Sequence, residues 1–184
     1  MLTRLATPAL VALAALGWEC GGTAGSNTGS ASSQRPTRAD AKPAVAVCSL
    51  LTADEIATVT GAKIAEMKDT TYGSTQNCNY SEAANLSPIV SLLLAASGPN
   101  VANSAEMAEW QRKQAKNGPM ALGDNLKAII EPIEGLGAPA IRTEIEGMHF
   151  VTVQTVVKGR LLEVTTSSFE WSKSLAAKAL TRVP

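Results

Sequence analysis

Three cysteines, one histidine and a scatter of carboxylates are the side chains of this 184-residue chain whose types could do chemistry. Cys48 and Cys78 are too far apart for the Cys-x-x-Cys spacing of a redox centre, and the single histidine, His149, cannot complete a zinc shell with them. In an oxidising compartment two such thiols pair. Closing a loop of about 30 residues stabilises a fold by roughly 3–4 kcal/mol in the chain-entropy treatment. The sequence therefore predicts a structural Cys48–Cys78 disulfide, with Cys78 near the start of a strand. Cys20 is left over, and an exported protein with an unmodified Cys20 would carry an exposed thiol.

His149 is the one candidate for a histidine base. It precedes the alternating Val151/Val153 segment, beside Gly147, and no G-x-S-x-G or S-x-x-K motif marks a nucleophilic serine for it to activate. The expectation is a partly buried histidine at a strand end. Glu131, Glu134, Glu144, Glu146 and Glu163 are the carboxylates of the same region. Two of them held roughly 5–9 Å apart could hydrolyse a glycoside, and Glu144 and Glu146 share a strand face. So do the outward charges of any solvated strand. Gly135-Leu136-Gly137-Ala138-Pro139-Ala140 matches G-x-G-x-x-A by letters, but Pro139 and an alternating segment follow where a dinucleotide site needs a helix. A glycine turn between strands is expected, and no cofactor or metal is predicted.

The elements that must position these residues begin after residue 43. Met1 to Arg4 carry one positive charge, and the run from Leu5 to Leu16 is apolar except for Thr7. At about 12 residues it is short of the roughly 20 that span a membrane, and it reads as a secretory signal peptide over residues 1–19. Two processing routes are open: cleavage at the A-x-A site Ala12-Leu13-Ala14, or lipidation of Cys20. Gly17, Trp18 and Glu19 depart from the small residues and Leu of a lipobox, whereas the Gly/Ser/Thr tract after Cys20 suits a lipoprotein tether. Lipidation is preferred because it accounts for the odd cysteine. Residues 20–43 have no apolar period and read as a flexible tether spanning roughly 25–30 Å.

Residues 44–184 read as a single domain. Thr52 and Glu55 form a capping box, with Leu51 and Ile56 at the staple positions and Gly61 as the stop. A second helix runs from about Ser104 to Lys116, capped by Asn103 and Glu106, with Met107, Trp110 and Gln114 on one stripe. A third runs from about Phe169 to Val183, with Ser167 and Glu170 at its cap and Trp171, Leu175, Ala179 and Leu180 on its buried face. Between the helices the period changes to two over Ile141–Ile145, Val151–Val157 and Leu162–Thr166, with a Lys158-Gly159 turn. Leu126–Ile133 is a further strand, sent to an edge by Pro132. Pro88–Ala96 is a continuous apolar run read as a buried strand. The fold class is α+β: an antiparallel or mixed sheet covered by about three helices, with one disulfide.

Cys48-Ser49-Leu50-Leu51-Thr52 with Glu55 and Gly61, then Cys78-Asn79-Tyr80, then Gly135-Leu136-Gly137, then the Lys-Gly hairpin and a final Leu/Ala-rich helix, resemble small bacterial cell-envelope lipoproteins grouped as a family of unknown function. The resemblance spans nearly all of residues 44–184. It implies an exported α+β domain tethered to a membrane, and no catalytic residues.

Composition narrows the partners. Lys+Arg and Asp+Glu number 16 each, so the net charge is zero, which argues against nucleic acid. Aromatics at 4% are thin for stacking platforms. If a ligand groove exists, the expectation places it between the two Trp-bearing helices and the sheet, with Trp110 and Trp171 as its apolar walls and Gly135, Gly137, Thr152 and Gln154 as its polar contacts. The expected protein is a non-enzymatic envelope module that is held at the membrane by a lipid anchor and binds a protein partner or a small apolar ligand. The alternative is a secreted hydrolase using His149 or the sheet carboxylates.

Overall fold

A computed structural model describes residues 46–84, 86–117 and 127–184. The signal-peptide and tether segments, Cys20 and Leu126 therefore lie outside the described residues. After a 3-10 turn at Val47–Ser49 the chain forms helix α1 (Ala53–Thr60) and strands β1 (Glu66–Tyr72), β2 (Thr75–Ser81) and β3 (Val90–Ala95). Helix α2 (Ser104–Asn117) then precedes β4 (Ala128–Ile133), β5 (Ala140–Ile145), β6 (Val151–Val157) and β7 (Arg160–Thr166), and α3 (Phe169–Leu180) closes the chain. The strands make one antiparallel sheet in the order β1-β2-β3-β7-β6-β5-β4. Two meanders meet at the β3/β7 pair, and α2 carries the chain from the middle of the sheet to its far edge. The α+β class with an antiparallel sheet, three helices and one disulfide is as the patterning predicts.

Strand alternation sorts the core onto two faces. On the first face Val90, Leu92 and Leu94 of β3, Leu162 and Val164 of β7 and Val153 of β6 pack with Leu175, Ala176 and Ala179 of α3 and with Leu50, Leu51 and Ile56 around α1. On the second face Met107 and Ala108 of α2 pack on Ile130 of β4 and Ile141 of β5. Ser104 joins the two layers. Its hydroxyl donates to the Ile133 carbonyl and accepts the Ala140 N–H, both at 3.0 Å, and it is buried.

Local signals account for most of the boundaries. Glu55 N–H donates to Thr52 Oγ1 at 3.2 Å while the Glu55 carboxylate accepts the Thr52 N–H at 3.0 Å, so the capping box is complete. Asn103 caps α2, with Glu106 N–H donating to its Oδ1 at 2.9 Å, while the Glu106 carboxylate accepts the Ala102 N–H at 2.9 Å and the Asn103 side-chain amide at 3.0 Å. Lys158 and Gly159 have φ of 50° and 76°, the left-handed pair that a two-residue hairpin turn requires between β6 and β7. Pro132 lies in β4, an edge strand, where its missing N–H costs no ladder bond to a further neighbour.

Several expectations are corrected. The cap of α3 is Ser168, one residue later than expected; its side chain makes no capping bond, and its N–H donates instead to Thr166 Oγ1. The helix stops at Leu180, and its buried face is Ser172, Leu175, Ala176 and Ala179, with Trp171 and Leu180 only half-buried. On α2, Gln114 is exposed, and Ser104, Met107 and Ala108 face the sheet. Pro88–Ala96 is not buried on both faces: β3 alternates, because its second face carries Leu93 away from the main core. Cys78 lies in the middle of β2 rather than near its start. The β1 strand was not anticipated, because Glu66-Met67-Lys68-Asp69-Thr70-Thr71-Tyr72 has no apolar alternation. It is an edge strand needing little burial.

The disulfide joins the 3-10 turn to β2, with Cα atoms 5.2 Å apart and a sequence separation of 30. Tyr80 reinforces it, its hydroxyl lying 3.2 Å from the carbonyls of both Cys48 and Leu51. Burial pushes the Tyr80 phenol up to about 12, so it stays a hydrogen-bond donor. At the far end of the chain Arg182 grips the Glu55 carboxylate through both guanidinium amines at 2.7 Å and also donates to the Leu50 carbonyl. The Arg182 guanidinium, helped by the Thr52 N–H, holds the Glu55 carboxyl down at about 2. Residues Ala41–Pro184 form one compact unit, and the sheet, the core clusters and the disulfide all lie within it. Among the described residues no helix is long and apolar enough to cross a membrane.

Candidate functional site

A cleft of about 600 Å³ opens at the end of the sheet where β3 begins and β7 ends. Its walls come from four places. The C-terminal end of α1 brings Thr60 and Ala62, and the β2–β3 connection brings Ser87, Pro88 and Ile89. The segment entering β6 brings His149 and Phe150, and α3 brings Trp171. The floor is Ser91 of β3 with Thr165, Thr166 and Ser167 at the end of β7. Carbon dominates the surface, supplied by Trp171, Phe150, Ile89 and Pro88. The polar groups are hydroxyls and one imidazole, and none of the described lining residues is an Asp, Glu, Lys or Arg. Its volume lies within the roughly 300–1,000 Å³ of small-molecule pockets, and its mostly apolar wall with a few polar points is the usual composition of such sites.

Local chemistry explains why these groups meet. Thr166 is held rigidly: its hydroxyl lies 2.9 Å from Ser172 Oγ and 2.7 Å from the Ser168 carbonyl, and Ser172 also reaches the Val151 carbonyl at 2.9 Å. This network ties the start of α3 to β6 and β7 and sets Trp171 over the strand ends. Gly147, at φ 83°, reverses the chain between β5 and β6. The residues after it, Met148, His149 and Phe150, are all exposed.

The residues singled out from the sequence do not converge on one groove. Trp171 lines the cleft, and so does His149, which is exposed rather than partly buried. Trp110 is half-buried on α2, which packs on the opposite face of the sheet from α3. Gly135 and Gly137 form the β4–β5 turn, with φ of 88° and 71°, and line a separate shallow depression of about 280 Å³ with Asn103, Ser104 and Glu134. Thr152 and Gln154 also point to the second face. Thr152 Oγ1 sits 2.9 Å from Thr165 Oγ1, one step from the cleft floor, and Gln154 donates to Glu163 at 2.8 Å. The physical reason is parity: the sheet itself stands between α2 and α3, so two helices of a two-faced sheet cannot share one groove.

The sheet carboxylates are dispersed in the same way. Glu131 and Glu144 both pair with Arg142, which also lies 5.1 Å from the Phe169 ring centre. Glu146 stands beyond β5 near Lys127, at 3.9 Å, and Glu134 belongs to the glycine turn. Glu163 is on the second face, where burial raises its pKa against the opposing effect of the Gln154 bond. Among the described residues no group of three or more His, Cys, Asp or Glu could hold a metal ion. Sequence reasoning missed Phe150, Pro88, Ile89 and the Thr165–Ser167 floor. One signal was available for Phe150: an aromatic beside Met148 and His149 in a glycine-led turn, within a chain that has only two phenylalanines. No family model matches the chain, and no curated protein is significantly similar to it.

Proposed function

We propose that this protein is an exported, lipid-anchored envelope module of the small bacterial lipoprotein kind it resembles, and that it works by binding a small apolar ligand rather than by catalysis. The cleft carries the reading: an apolar, uncharged pocket of about 600 Å³ with Trp171 in its wall. The apolar run before Cys20 and the Gly/Ser/Thr tract after it support display at a membrane, where tethering raises the local concentration of the domain. The disulfide supports an oxidising compartment.

Mass spectrometry of membrane-extracted protein tests both parts. An acylated N-terminal Cys20 and a small apolar molecule retained under native conditions are the expected results. Delipidated protein free in the cytosol with intact thiols would refute the location. The purified protein should release no product from carboxylic-ester or glycoside substrates, and turnover that His149→Ala abolishes with folding intact would favour the hydrolase reading.

A further inference from the structure

The exposed apolar side chains of the described surface are few: Met67, Tyr72, Leu86, Ile129, Met148 and Phe150. Three of them gather around the cleft. Phe150 lines it at 41% exposure; Met148, 39% exposed, adjoins His149; Leu86, 57% exposed, adjoins Ser87. They project from two separate connections, β2–β3 and β5–β6, at the same end of the sheet. Isolated exposed apolar residues are ordinary, whereas several around the mouth of an apolar cleft mark a surface that meets another apolar phase.

We propose that this rim rests on a lipid surface and that the cleft takes up a single acyl chain from it. The inference deepens the binding reading above and rests on it. An acyl chain fits the observations on three counts. The cleft wall is carbon without a charged group, so a charged ligand would be desolvated there without compensation. The Ser167 hydroxyl and the His149 imidazole can hydrogen-bond one polar end, as an ester requires. Phe150 is both in the cleft wall and 41% exposed, so apolar surface runs from the cleft to the solvent edge.

The test uses the domain of residues 44–184, whose sheet, core and disulfide are its own, so that neither the anchor nor Trp18 contributes. In a Trp110→Phe background Trp171 is the only tryptophan. Spin-labelled methyl stearate, an uncharged acyl chain kept below its aggregation concentration, should quench Trp171, and Ala62→Phe, which adds a ring to the cleft lining, should abolish the quenching. Phosphatidylcholine vesicles should sediment the unsubstituted domain, and Leu86→Ser with Met148→Ser should weaken that binding by about tenfold or more. Quenching by methyl stearate without vesicle binding would leave the ligand site standing and overturn the membrane rim. Vesicle binding without methyl stearate quenching would overturn the acyl-chain assignment. Absence of both would overturn this inference, whereas the binding reading stands or falls on whether the membrane-extracted protein retains an apolar molecule. Should Trp110→Phe fail to fold, native mass spectrometry of the unsubstituted domain with methyl stearate gives the same decision: a one-to-one adduct supports the assignment and its absence refutes it.

Discussion

Breaking the Cys48–Cys78 crosslink should remove a large share of the domain's stability. Cys48→Ala is the cleaner perturbation, because Cys48 is half-buried whereas Cys78 is fully buried opposite Leu92, so its sulfur stays packed in the core. With a sequence separation of 30 between the cysteines, freeing the loop enlarges the unfolded ensemble by about 3–4 kcal/mol of free energy. Against a total of roughly 5–15 kcal/mol for a domain, that takes it close to its margin. In urea the midpoint should fall by roughly 1–3 M at the slopes usual for small proteins. Tyr80 stays bonded to the Cys48 and Leu51 carbonyls in the variant, so the native fold should persist at low denaturant. The assay is urea unfolding followed by circular dichroism, with and without a thiol reductant. Reductant should lower the wild-type midpoint to near that of Cys48→Ala and leave the variant unmoved. A variant within about 1 kcal/mol of the oxidised wild type would refute the loop-entropy reasoning. So would a wild-type mass that is not lighter by two hydrogens.

The Glu55 carboxyl is held at about 2 instead of 4.5, so its contribution is fully present above pH 4.5 and is lost as pH falls towards 2. Glu55→Gln keeps a capping-box partner and removes the charge. Because the pair with Arg182 is part-exposed, the loss at pH 7 should be about 1 kcal/mol or less; thermal unfolding from pH 7 to 2 checks it, and a pH-independent difference would count against the assignment. Ser104→Ala orphans the Ala140 N–H and one bond to the Ile133 carbonyl, both buried, and should cost about 1–3 kcal/mol by chemical denaturation. At Gly98 an added Cβ would lie 3.0 Å from the Arg160 backbone carbon, so Gly98→Ala should destabilise by about 1–3 kcal/mol on the same measure. The variant at Gly98 should also disturb the Gly98 N–H bond to the Gly159 carbonyl, seen as faster hydrogen exchange there.

Local chemistry was legible from the residues alone. The capping box of α1, the Asn103 cap of α2, the Lys158-Gly159 turn, the glycine turn after β4 and the edge position of Pro132 follow from groups a few residues apart, whose hydrogen bonds and φ preferences do not depend on the rest of the fold. The disulfide was legible for a different reason: these are the two cysteines within the folded domain. Strand β1 was invisible because its edge position asks for no apolar pattern. The α3 cap was misplaced by one residue because Thr166 satisfies the Ser168 N–H from the strand side.

Which side chains meet was decided by the tertiary structure. The sequence by itself carried His149 and Trp171 as separate notes, one a spare imidazole and the other a core-spaced indole. Only the pairing of β7 with β3 and β6, and the seating of α3 on β6 and β7, places them on one cleft with Phe150 and Pro88. The same topology put Trp110 and Gln154 on the other face of the sheet and set Thr152 behind Thr165 of the cleft floor. A strand's parity is written in its residues, but the face each helix covers depends on how the chain crosses the sheet, which is set by the burial of the whole core.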